Sequence, residues 1–188
     1  MLRAWATSAR FALVEQARNR FALGLLVLFV PLWDWLFGAL IPPGPVAFRL
    51  QSTGAYLQVD GHDLTLLTAG FNALTLIVAF MIFTAARRTA AFDRRLVLAG
   101  LSQPAAVVAK AAALVVVAAL VSLYAAVVLT VFWRPAALAA VWLGYLLDAL
   151  AYGALGLLLG VLVTSELATN TASPLNQVFR SMEFHLDW

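Results

Sequence analysis

Between Pro104 and Trp133 the chain contains a single charged residue, Lys110, in an otherwise apolar run rich in Ala, Val and Leu. A run of that character, roughly 30 residues long, is more than enough to cross the hydrocarbon core of a bilayer as a helix, which takes about 20 residues. Three further stretches qualify: Phe21 to Ile41, closed by Pro42 and Pro43; Leu64 to Ala86; and Ala136 to Val163. The backbone in a bilayer must satisfy its own hydrogen bonds, and apolar runs of this length do so as helices. The fold class expected is therefore an all-α membrane protein with four transmembrane helices. Composition agrees: of 188 residues, 64% are hydrophobic and 11% charged, whereas soluble domains are about half apolar. Spans three and four are separated only by Arg134 and Pro135, which predicts a tight antiparallel pair, and the long third span is expected to tilt or protrude.

The basic residues bracket the apolar runs, so the net charge of +3 is no argument for nucleic acid. Arg3, Arg10, Arg18 and Arg20 precede the first span, and Arg87, Arg88, Arg94 and Arg95 follow the second. The other two connections hold only Arg49 and Arg134. The positive-inside bias then puts both termini in the cytoplasm and the 42–63 loop outside. Residues 1–20 read as an amphipathic interfacial helix, with Leu2, Trp5, Ala9, Ala12 and Leu13 on one face. The four-span unit is residues 21–163, and residues 164–188 are expected to form a cytoplasmic tail.

In the segment "RRTAAFDRRLVLAGLSQPAAVVAK", Thr89 is placed to start a short helix. Phe92, Leu96 and Ala99 fall on one stripe, and Gly100 is placed to end it. Ser102 and Pro104 suit the start of span three. Lys110, about 9 Å into that span, is expected to snorkel back to the interface.

These residues carry a resemblance. A basic amphipathic amino-terminal helix, a short outer loop, the cytoplasmic "AAFDRRLVLAGLSQPAAVVAK" running into span three, and "GLLLGVLVTSEL" closing span four together resemble the membrane subunit of an ABC type 2 transporter, the bacterial exporter permease family. The likeness covers about residues 1–167 and lies in topology and character. It implies an elbow helix at the amino terminus and a coupling helix over 87–103, with Phe92, Asp93, Arg94, Arg95, Leu96 and Gly100 docking on a cytoplasmic ABC ATPase subunit. It further implies a second permease protomer, identical or not, and residence in the bacterial inner membrane. The family has six spans. After Glu166 this sequence offers no further run near 20 apolar residues, so the last span pair has no counterpart.

No catalytic residues are expected on this chain. The one lysine follows Ala109, which excludes G-x-x-x-x-G-K-[ST]. If transport is ATP-driven, as the resemblance implies, ATP and Mg²⁺ are expected on the partner subunit. No cofactor or metal site is expected here, since the two histidines, His62 and His185, lie far apart and cysteine is absent.

Polar residues inside the spans form the candidate substrate pathway. Counted from the cytoplasmic ends at about 1.5 Å per residue, Asp34, Asn72 and Asp148 all come out roughly 20–22 Å deep. Thr65, Thr68, Asn72 and Thr75 make a polar stripe on span two, and Tyr145, Asp148 and Tyr152 share a face of span four. Asp34, Thr68, Asn72, Thr75 and Asp148 are thus the pathway candidates, with a hydrogen-bonded packing cluster as the other reading. Trp33 and Trp35 also suit a position for Asp34 near the outer headgroups. Gly156-x-x-x-Gly160 is expected to pack within the chain, against span three or one, with contact to a partner protomer as the other reading. The competing functional class is a non-transporting accessory four-span protein whose basic loops serve topology alone.

Overall fold

The computed structural model describes residues 19–98 and 103–183, with side chains over 19–89 and 107–163. These residues form four helices and one hairpin. Helix α1 is Arg20–Leu40; strands β1, Pro45–Arg49, and β2, Tyr56–Asp60, form the hairpin; α2 is Gly61–Leu98, α3 Gln103–Phe132 and α4 Leu138–Glu183. All four helices contain a stretch long and apolar enough to span a membrane. The chain is an all-α multi-pass membrane protein. The expected interfacial helix at 1–20 lies outside the described residues, apart from the capping Asn19 and Arg20.

Each helix turns one stripe inward. On α1 the buried positions are Ala22, Leu26, Val30 and Asp34, spaced by four, so a single face meets the bundle. Asn19 caps that helix, accepting from the Ala22 amide at 3.3 Å. Leu28, Leu32 and Trp35 point away from the bundle, which is what a lipid-facing side requires. Helix α2 sits centrally, packing on α1, α3 and α4, and its contact with α4 is the most extensive in the molecule.

Pro31 lies inside α1. Having no N–H, it cannot donate to the carbonyl four residues back, that of Val27. Tyr124 of α3 fills the gap, donating its hydroxyl to the Val27 carbonyl at 3.0 Å. A backbone acceptor in hydrocarbon would otherwise go unpaired.

The α2–α4 joint is built on small residues. The two helices run in the same direction, and Gly144, Gly153, Gly156 and Gly160 of α4 meet α2 at Phe71, Val78, Ala79 and Phe83 in turn. The Gly156–Gly160 pair therefore packs within the chain, as expected, but on span two rather than three or one. The reason is backbone proximity: a Cβ at 156 would land on the Ala79 carbonyl itself.

Two boundaries differ from the sequence reading. No new helix starts at Thr89. Helix α2 runs unbroken for 38 residues, about 57 Å. Thr89, proposed above as a helix start, is interior, and its hydroxyl donates to the Ala85 and Ala86 carbonyls at 3.1 and 3.3 Å. Ala85, Ala86, Arg87 and Arg88 are strong helix formers, so nothing ends the helix where the membrane does. Likewise α4 continues past Val163 to Glu183, 46 residues in all, so most of the expected tail is helical.

The hairpin was not foreseen. Val46 pairs with Val59 and Phe48 with Leu57 on one face, while Ala47–Gln58 and Arg49–Tyr56 lie on the other. Gly54, at φ +69°, takes the left-handed position in the connecting loop. Asp60 ties the hairpin to α2. One carboxylate oxygen accepts from the His62 amide at 2.9 Å, capping the helix, and from the Gly44 amide at 3.3 Å.

Candidate functional site

The polar side chains within the spans divide into three settings. The first is the joint between α2 and α4. Four other threonines of α2, Thr65, Thr68, Thr84 and Thr89, each donate back to a carbonyl of their own helix. Thr75 departs from this habit. Its hydroxyl lies 3.2 and 3.3 Å from the two carboxylate oxygens of Asp148 and donates across to α4. The pairing follows from the register of the parallel helices, which also sets Tyr145 against Leu67 and Gly70 one turn nearer the hairpin end.

The second setting is the bundle interior. Asp34 is 1% exposed, one turn beyond Val30 on the inward stripe of α1. Its Oδ1 is buried with no hydrogen-bond partner among the described residues, as are the indole nitrogens of Trp33 and Trp142. Asp34 therefore points into the bundle. Tyr145 is fully buried, donates to the Leu67 carbonyl at 3.3 Å and meets the Phe71 ring edge-on with centroids 4.9 Å apart.

The third setting is the outward face of α2. Thr68 and Asn72 are exposed there, beside Leu76. The five pathway candidates therefore do not line one surface. Asp34 points inward, Thr75 and Asp148 join α2 to α4 at the edge of their groove, and Thr68 and Asn72 look outward. Tyr145, which carries the central position, was visible in the sequence only as part of the aromatic and acidic face of span four.

For the coupling candidates, Phe92, Asp93, Arg94, Arg95 and Leu96 all lie on the backbone of the α2 extension, nine residues long beyond Thr89. Gly100 falls outside the described residues. Arg87 and Arg88 mark the exit from the span; both are exposed, and the Arg87 guanidinium lies 5.6 Å from the centre of the Phe83 ring.

The arrangement at Asp148 has a direct consequence. An amide in place of the carboxylate keeps an acceptor for the Thr75 hydroxyl. Asp148→Asn is therefore expected to leave the thermal unfolding midpoint of the purified protein within a few degrees of wild type, while Asp148→Leu lowers it clearly, by roughly 1 kcal/mol of lost cross-helix bonding. Equal midpoints for the two variants would mean that the Thr75 contact holds nothing together. Comparison of the chain with protein-family profiles, with curated proteins and with solved structures finds no match.

Proposed function

We propose that this chain is the membrane-spanning subunit of an ATP-driven bacterial exporter of the ABC type 2 kind, seated in the inner membrane with both termini in the cytoplasm. A separate ABC ATPase subunit hydrolyses ATP with Mg²⁺, and a second permease protomer completes the assembly. The observation that supports this reading best is the continuity of α2. A single helix carries the basic segment with Phe92, Asp93, Arg94, Arg95 and Leu96 and also forms the centre of the bundle, against α1, α3 and α4. Force applied to its protruding end is transmitted to the whole bundle without a hinge. The ATPase grips that extension, and its closure on ATP shifts α2 together with α4, whose joint rests on backbone contact at Gly156. Substrate then passes beside Thr75 and Asp148 at the α2–α4 edge and the outward-facing Thr68 and Asn72 of α2. The accessory reading has no comparable use for a rigid basic extension.

The test is co-purification of the tagged chain with co-expressed ABC ATPase subunits, taken from any encoded beside it. Wild type retains the ATPase. A Phe92→Ala/Arg95→Glu variant retains about tenfold less, the loss that a single interface anchor causes. Failure of the wild-type chain to capture any ATPase, in membranes where both are present, would remove the exporter reading and leave the basic segment a topological role.

A further inference from the structure

The hairpin between α1 and α2 has two unlike faces. Alternation along the paired strands puts Val46 opposite Val59 and Phe48 opposite Leu57 on one side, and Ala47–Gln58 and Arg49–Tyr56 on the other. The first side is wholly apolar, yet Val46, Phe48 and Leu57 are 40%, 42% and 47% exposed. On the second side the Arg49 guanidinium lies 6.0 Å from the centre of the Tyr56 ring. Two strands alone are marginally stable in water, so an apolar face open to water would be a weakness in this element.

The hairpin is rooted in the membrane-spanning helices without slack. Strand β2 ends at Asp60 and α2 begins at Gly61, and only Ile41 to Gly44 separate α1 from β1. Its base is closed by the Gly61 amide, which donates to the Gly44 carbonyl at 2.7 Å. Val46 sets the orientation. A Cβ on Gly61 would lie 3.1 Å from the Val46 Cγ1, so the apolar side is the one turned toward the start of α2. At the same end of the bundle, the lipid-facing stripe of α1 runs through Leu32, Leu36 and Leu40 to Ile41, all exposed, and stops just before the hairpin.

We infer that the Val46–Phe48–Leu57–Val59 face is a lipid-binding surface, laid on the leaflet at the hairpin end of the bundle. The occupant is bilayer because the face continues the lipid-facing surface of α1 and is turned toward the spans. Upright strands about 17 Å long would instead carry Phe48 and Leu57 out into water. In the lying pose the apolar side chains enter the boundary between headgroups and acyl chains, about 5–10 Å deep as for other amphipathic surface elements. Arg49 and Tyr56 then meet phosphates and water. Since strand and helix join at Asp60 and Gly61 with no residue between, the anchor fixes the level of that end of α2 in the membrane. The inference needs only the four spans and stands apart from the exporter reading.

The chain has no cysteine, so single labelled cysteines report on each face. Full-length Phe48→Cys and Leu57→Cys are compared with Ala47→Cys and Gln58→Cys on the opposite side; all four positions are exposed. Each carries a nitrobenzoxadiazole fluorophore and is reconstituted, dilute, into phosphatidylcholine–phosphatidylglycerol vesicles with iodide available on both sides. Labels at 48 and 57 are expected to emit at shorter wavelength than those at 47 and 58 and to resist iodide. They are also expected to be quenched more by lipids with a nitroxide near the headgroup than by lipids with one at the chain end. Equal iodide access on both faces would overturn the assignment, because the hairpin would then stand in water. Shielding from iodide at 48 and 57 without nitroxide quenching would also overturn it, because protein, a second copy or another chain, would then cover the face.

Discussion

Gly156→Leu is expected to prevent the bundle from forming. A Cβ at this position would strike the carbonyl oxygen of Ala79, with the Ala79 carbonyl carbon and Cα each 3.1 Å away. All three are backbone atoms, so no rotamer change relieves the clash, and α2 and α4 must separate along their whole length. Even the methyl of Gly156→Ala is expected to cost about 2 kcal/mol, in the range of overpacked cores. The leucine removes the close approach altogether and, with it, the van der Waals contact that drives helix association in lipid. The check is size-exclusion behaviour and thermal unfolding in mild detergent, with Gly24→Leu as control, since a Cβ at Gly24 has nothing within 4 Å. A Gly156→Leu protein that elutes and melts like Gly24→Leu would show that the helices do not approach as closely as described.

Tyr145→Ala is the second large effect. Tyr145 is among the largest fully buried side chains. Its ring fills the space above Gly70, meets Phe71 edge-on, and its hydroxyl bonds the Leu67 carbonyl at 3.3 Å. Truncation leaves a cavity at the hairpin-end half of the α2–α4 joint, and losses of about 3–5 kcal/mol are typical for a buried aromatic cut to alanine. Tyr145→Phe keeps the ring and loses only the hydroxyl bond, worth about 0.6–2 kcal/mol inside a membrane bundle. The two variants should therefore separate widely in unfolding midpoint. Similar midpoints would mean that the hydroxyl, not the ring, carries the anchor.

The four spans were legible because the physical demand behind them is blunt. A run of apolar residues as long as the bilayer is thick has few other uses, and the boundaries read at Ile41 and Pro104 fall within a residue or so of the helix ends at Leu40 and Gln103. What escaped the reading depends on competition between neighbours. Thr89 resembles a helix start, but a threonine within a running helix satisfies its hydroxyl by bonding back to Ala85, and the chain has no reason to stop. The 46–59 pairing has no two-residue turn to announce it, and its loop closes through Leu50 and Ala55 instead. At the candidate site, depth along each span was readable from residue counts, but direction was not. Asp34 and Asn72 were placed at the same level, yet one is inside the bundle and the other outside. For Asp34 the signal was present in the spacing of Ala22, Leu26 and Val30, which carries the inward stripe to position 34. For Thr75 there was none, since its choice of Asp148 over its own helix depends on which helix lies alongside.

The bond from Tyr124 to the Val27 carbonyl imposes an order on how these positions can change over time. While Pro31 is present, the carbonyl needs an outside donor, and a lineage that loses Tyr124 first is left with an unpaired backbone group in the bilayer. If Pro31 is replaced first, helix α1 supplies its own donor, and Tyr124 is released to vary. The proline is thus a historical gate: it can be discarded at any time, whereas the tyrosine 93 positions away is held in place for as long as the proline stays.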